Sequence, residues 1–137
     1  MSLFVHDREA ARRLVASPLV APYYAALRHR AAEATARPGL IQRGDTQEWW
    51  HLCWERVSDV AFALALAPDD RLAVWLREAV LDIARKSADE WVGPWFRQRR
   101  DPPEGMLETA HASLAVATAL DIAPEVLSAG ERDEVRA

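Results

Sequence analysis

One cysteine, five glycines and no apolar run long enough for a bilayer narrow the possibilities before any motif is considered. Cys53 has no second cysteine to pair with, so an internal disulfide is excluded and no secreted staple framework or dithiol chemistry is indicated. It lies in an apolar run and reads as a buried structural thiol. No uncharged stretch reaches the roughly 18 residues that a membrane helix needs, and the N-terminus lacks the apolar core of a signal peptide. A soluble chain without membrane association is therefore expected, either cytoplasmic or trimmed after export.

Positive charge is also short. Seventeen Lys and Arg against 21 Asp and Glu give a formal charge of −4, with the arginines interleaved among acids. Nucleic acid is thus not an expected partner, because phosphate neutralisation needs a basic surface. Glycine-rich phosphate loops, nucleophile elbows and cysteine-based zinc spacings are missing, so neither a cofactor nor a metal is expected. No alternation of apolar and polar residues persists over a strand's length, which leaves an all-α chain.

What is present is helical periodicity in a single domain spanning residues 1–137, half of them hydrophobic. Asp7 is a good N-cap for a short helix Arg8 to Val15 with Leu14 and Val15 as its apolar edge. A second helix is expected from Pro18 to about Ala36, with Leu19, Tyr23, Ala26 or Leu27, and Ala31 or Ala34 facing the core, and Arg28, Arg30 and Glu33 wet. Pro38, Gly39 and Gly44 mark Arg37 to Thr46 as a loop. Asp45 and Glu48 resemble a cap pair opening a third helix to Ala67, with Trp50, Cys53, Val57, Val60 and Leu64 as its buried stripe.

Pro68, Asp69 and Asp70 form a turn that caps a fourth helix, Arg71 to about Ser87. Its apolar face is Leu72, Trp75, Leu76, Ala79, Val80 and Ile83, and its wet face runs from Arg71 to Lys86. Ala88 to Gly105 reads as a long connection. Met106 to Ala123 carries only Glu108, His111 and Asp121 as ionisable groups, so it reads as an interior helix buried on several sides, with Leu107, Leu114 and Leu120 as its large contacts. Pro124 ends it, and Ser128 with Glu131 forms a capping-box pattern for a last helix, from Glu131 onward.

Largely apolar helices thus alternate with charged ones, which predicts antiparallel helical hairpins in an inner and an outer layer. Short connections alternate with long ones. In an up-and-down array, alternate loops share one end, so both long loops should gather at the rim where the two apolar helices begin. Binding residues usually sit on such loops.

At RVSDVAFALALAPDDRLAVWLREAVLDIA and LETAHASLAVATALDIAPEVLSAGERDEV the chain resembles the early helical hairpins of the heparinase II/III-like and alginate-lyase-like polysaccharide lyases, over roughly Phe4 to Ala137. Leu120-Asp121 stands where that pattern has a Tyr-Asp pair. The resemblance implies a partial (α/α) toroid, the N-terminal segment of a larger one, in an enzyme that cleaves an acidic, uronic acid polysaccharide by β-elimination. It also implies that the eliminating residues belong to later helices and a β-sandwich; no catalytic residue is assigned here.

Sugar rings bind aromatic faces and acidic sugars bind guanidinium forks. Trp49, Trp50, Trp91, Trp95, Arg97, Arg99 and His111 are accordingly the candidate substrate-binding residues, with an acidic polysaccharide or oligosaccharide as the expected partner. An exposed apolar flank would let copies of the chain associate. The competing reading is a non-catalytic helical array that binds protein. Two Glu-x-x-His pairs, Glu48/His51 and Glu108/His111, have the spacing of di-iron bundle ligands. At about 100° per residue, however, Glu48 and His51 point away from the Trp50–Cys53–Val57 stripe, which argues against a metal centre.

Overall fold

The computed structural model describes residues 7–36, 48–92 and 107–137, with side chains throughout except at 48–52. Seven α-helices and one short 3-10 turn account for these residues, and no strand occurs among them. The helices are α1 (Arg8–Val15), α2 (Ala21–Ala36), α3 (Glu48–Leu66), α4 (Asp70–Ala84), α5 (Ala88–Val92), α6 (Leu107–Ile122) and α7 (Ala129–Arg136), with the 3-10 turn at Pro124–Val126.

Local chemistry sets several boundaries. Asp7 accepts from the Ala10 N–H at 2.8 Å and starts α1. Asp69 accepts from the N–H groups of Arg71 and Leu72 and starts α4. Ser128 and Glu131 form the reciprocal capping box at α7, which begins at Ala129, two residues earlier than an onset at Glu131. Each removes backbone donors that a helix start otherwise leaves unsatisfied. The expected cap pair at Asp45, the loop Arg37 to Thr46 and the side chain of Trp50 lie outside the described residues.

The most extensive interface is between α3 and α6. Cys53, Val57, Val60 and Ala61 on α3 meet a floor made by Ala112, Ala115, Val116 and Ala119 on α6, all buried. The small alanines let the two backbones approach closely, so dispersion contacts are dense. These helices run in the same direction. Arg12 donates to the carbonyls of Leu66 (2.9 Å) and Ala65 (3.2 Å) at the end of α3, and Arg8, one turn earlier on α1, donates to the carbonyl of Ile122 at the end of α6. At the opposite pole Trp54 of α3 stacks on His111 of α6.

Contacts from α4 and α7 add to this packing. Leu76, Ala79, Val80 and Ile83 of α4 pack onto this pair, while Arg77 and Arg85 on its outer side reach Glu131 and Glu134 of α7. From Arg77 to Arg85 the partners also advance along α7, so α4 and α7 are themselves parallel.

Several expectations are corrected. The second helix starts at Ala21 instead of Pro18, because residues 18–20 form a turn. Its inner line is Tyr24, Leu27, Ala31 and Ala34, which leaves Leu19 79% and Tyr23 74% exposed. The fourth helix ends at Ala84, and Lys86 folds inward toward Asp82 and Glu90, leaving its side chain only 11% exposed. Residues 88–105 are not all connection: Ser87 and Glu90 cap one another and α5 follows.

The helix α6 is buried along one side only. Leu107 and Leu114 are 54% and 39% exposed, with Ala110 and Ala117 on the same open side, whereas Glu108 is buried. A strict up-and-down order also fails at α2. Arg30 meets Asp59 midway along α3, yet Arg71 at the start of α4 donates to the Thr35 carbonyl (3.3 Å) at the end of α2. The end of α2 therefore lies beside the start of α4, at a pole that alternation would assign to the other end.

Candidate functional site

Because α3 and α6 are parallel, their first turns share one rim, and several sequence-predicted residues belong to it. Trp49 and Trp50 fall in the first turn of α3, with side chains outside the described residues. Trp95, Arg97 and Arg99 also lie outside them. Trp91 sits on α5 at this rim, half-buried against the core. Its indole N–H donates to the Ile83 carbonyl (3.1 Å), and its own carbonyl accepts from the Thr109 hydroxyl (2.8 Å). Those bonds lash α5 between the end of α4 and the start of α6.

His111 is half-buried on α6 and stacked on Trp54, with ring centroids 6.0 Å apart and an interplanar angle of 20°. Trp54 keeps 37% of its surface exposed and lines a recess of about 420 Å³ together with Arg30, Glu55, Ser58 and Asp59. That volume falls within the range of small-molecule sites, about 300–1,000 Å³. Arg30 clasps Asp59 through two hydrogen bonds, at 2.6 and 2.9 Å. This pairing raises the guanidinium pKa above its ordinary value, through the Asp59 hydrogen bond first and its charge second. The Ser58 hydroxyl oxygen is buried without a hydrogen-bond partner.

None of Arg30, Trp54, Glu55, Ser58 and Asp59 stands out in the sequence as a site residue. The available signal was the i, i+4 spacing of Trp54 with Ser58 and of Glu55 with Asp59, one and two positions past Cys53 and off its buried stripe. What spacing does not reveal is that Arg30 comes from another helix to close the recess.

Two further buried groups lie on α3 and α6. Cys53 is wholly buried and its thiol is pushed up to about 12, chiefly by desolvation, which makes it a poor nucleophile. Glu108, in the first turn of α6, is 6% exposed and one of its carboxyl oxygens has no hydrogen-bond partner. Backbone N–H groups at a helix start favour a carboxylate there. Among the described residues no group of three or more His, Cys, Asp or Glu is placed to hold a metal ion. No described helix is long and apolar enough to cross a membrane.

A second, apolar recess of about 510 Å³ opens between α1, α2 and α3, lined by residues such as Leu14, Tyr24, Leu27, Phe62 and Leu66. The Tyr24 hydroxyl is buried there without a partner. Comparison with protein-family models, curated proteins and solved structures finds no match. The functional reading therefore rests on the residues and their geometry.

Proposed function

We propose that this chain is the N-terminal segment of a heparinase II/III-like (α/α) toroid and forms one wall of a cleft for an acidic polysaccharide. The polymer would be cleaved by β-elimination, using residues supplied outside this segment. The observation that carries the reading is the open side of α6: Leu107, Ala110, Leu114 and Ala117 form an exposed apolar line on a helix whose other side is core. A further inner helix laid against that line would extend the parallel α3–α6 pair, and α4 with α7 would then form an outer layer running the other way.

The chemistry assigns roles by residue type. Removing a proton next to a uronate carboxylate requires that the carboxylate be neutralised and a base be held nearby. Arg97 and Arg99 suit the first task through planar forks. Trp49, Trp50 and Trp95 offer ring faces for sugars, while Trp91 is committed to closing the rim. The open side of α6 also fits a helical module that docks a partner protein through the same apolar line.

Uronate oligosaccharides titrated into the chain, with the tryptophan indole N–H resonances followed individually, test the first reading. Resonance shifts confined to the rim tryptophans are expected, and no shift of any of them at millimolar ligand would sink it. In Leu114→Lys, sugar-induced shifts should persist; binding of a protein partner would instead be lost.

A further inference from the structure

We infer that the recess bounded by Trp54, Ser58, Arg30, Asp59 and Glu55 binds an amino sugar, a pyranose carrying a free ammonium group. The inference goes beyond the acidic-polymer reading, because it stands on the recess itself and on a charge of the opposite sign.

Three observations converge. One guanidinium against two carboxylates gives the recess a net charge of −1, and the guanidinium is already engaged by Asp59. A uronate would be repelled here. Glu55 has no hydrogen-bond or ion-pair partner among the described residues and remains available to a cation, beyond its longer-range attraction to Arg30. Trp54 presents an indole surface to the same space, and ammonium groups are attracted to tryptophan faces at distances up to about 6 Å. Ser58 lines the recess with its hydroxyl buried and without a hydrogen-bond partner, and rotation about its Cα–Cβ bond would bring that donor and acceptor to a ring hydroxyl. A hydroxylated ring with an ammonium substituent satisfies all three, whereas a bare cation leaves the hydroxyl unanswered.

The full chain, labelled for indole N–H detection, is titrated with a glucosamine oligomer whose amines are protonated, with its N-acetylated counterpart, and with a uronate oligomer of equal length. Trp54→Phe identifies the Trp54 resonance. The glucosamine oligomer should shift that resonance saturably. Glu55→Gln, on the exposed side of α3, should weaken the binding about three- to fivefold, the scale of one solvent-exposed charge pair. N-acetylation, which removes the charge, should weaken it at least as much.

A Trp54 resonance unmoved by millimolar glucosamine oligomer overturns the inference. So does an equal response to the N-acetylated or uronate oligomer. Uronate shifts at Trp49, Trp50 or Trp95 that spare Trp54 are the expected pattern for an acid-binding rim beside an amine-binding recess. If uronates shift nothing while the glucosamine oligomer shifts Trp54, the lyase reading falls and the recess assignment stands.

Discussion

The indole of Trp54 lies over the imidazole of His111, the planes within 20° of each other, and so joins the first halves of two helices that are distant in sequence. Aromatic pairs of this kind contribute about 0.5–1.5 kcal/mol beyond the area they bury. His111→Ala should lower the unfolding free energy by about 1 kcal/mol and shift the Trp54 contribution to fluorescence toward longer wavelength. Urea titration of the variant, with Trp54→Phe as the spectral reference, checks both effects.

At the opposite pole Arg12 places its guanidinium on the last carbonyls of α3. A cation at a helix C-terminus and its hydrogen bonds to free carbonyls both stabilise the end of the helix. Arg12→Met, which keeps the aliphatic stem, should cost about 1 kcal/mol. Among the described residues Arg13 pairs only with Glu9 one turn away on α1, and exposed pairs of this type contribute about 0.3–0.5 kcal/mol. Arg13→Met should therefore be close to neutral, and equal losses for the two variants in denaturant melts would refute the capping role.

The acid side of the stability profile depends on α7. Glu131 is held down to about 2 by the Arg77 hydrogen bond, then by the Ser128 backbone N–H, and Glu134 is lowered by Arg85. Both folded-state values lie below the ordinary 4.5. Their stabilising contribution is thus complete above that value and is lost as pH falls through the lowered one. Stability should be flat above about pH 5 and decline progressively toward pH 2. Glu131→Gln should flatten part of that decline, and added salt should shrink the effect because the pairs face solvent. A slope unchanged by the substitution would rule out this carboxyl as the source.

Alanine at the α3–α6 contact and alanine on the open side of α6 should respond differently to enlargement. Ala115 is fully buried, so Ala115→Leu forces backbones apart and should cost about 1–3 kcal/mol. Ala117 is exposed, and Ala117→Leu should leave stability within about 0.5 kcal/mol while increasing self-association. Thermal melts with sedimentation measurements separate the two, and similar destabilisation would mean that the open side of α6 is not open in solution.

How much of this could be read from the chain follows from how local each determinant is. Asp7, Asp69 and the Ser128–Glu131 pair act within one turn, and the helix starts they specify fall within two residues of where the pattern puts them. The same logic applied to Ser87 and Glu90 would have found α5, which a connection rich in Trp, Pro and Arg obscured. The register of α2 was less accessible. A turn after Ser17-Pro18 consumed Leu19 and rotated Tyr23 outward, and only contact with α3 selects Tyr24 and Leu27 instead. Composition alone made α6 look enclosed, yet which side of an apolar helix is covered depends on neighbours that its own residues do not specify. The recess needed the bridge between Arg30 and Asp59, a pairing between helices that periodicity within either one cannot disclose.

The side-by-side packing of α3 and α6 also bears on how the chain is made. During synthesis the apolar half of α3, VAFALALA, emerges long before the alanine floor that covers it, with α4 and α5 translated in between. Closing such a long loop carries an entropic cost that local helix formation does not repay. The nascent polypeptide must therefore wait, with α4 as its temporary cover, and the interval before Ala112 leaves the ribosome is when it is most open to chaperone capture or aggregation.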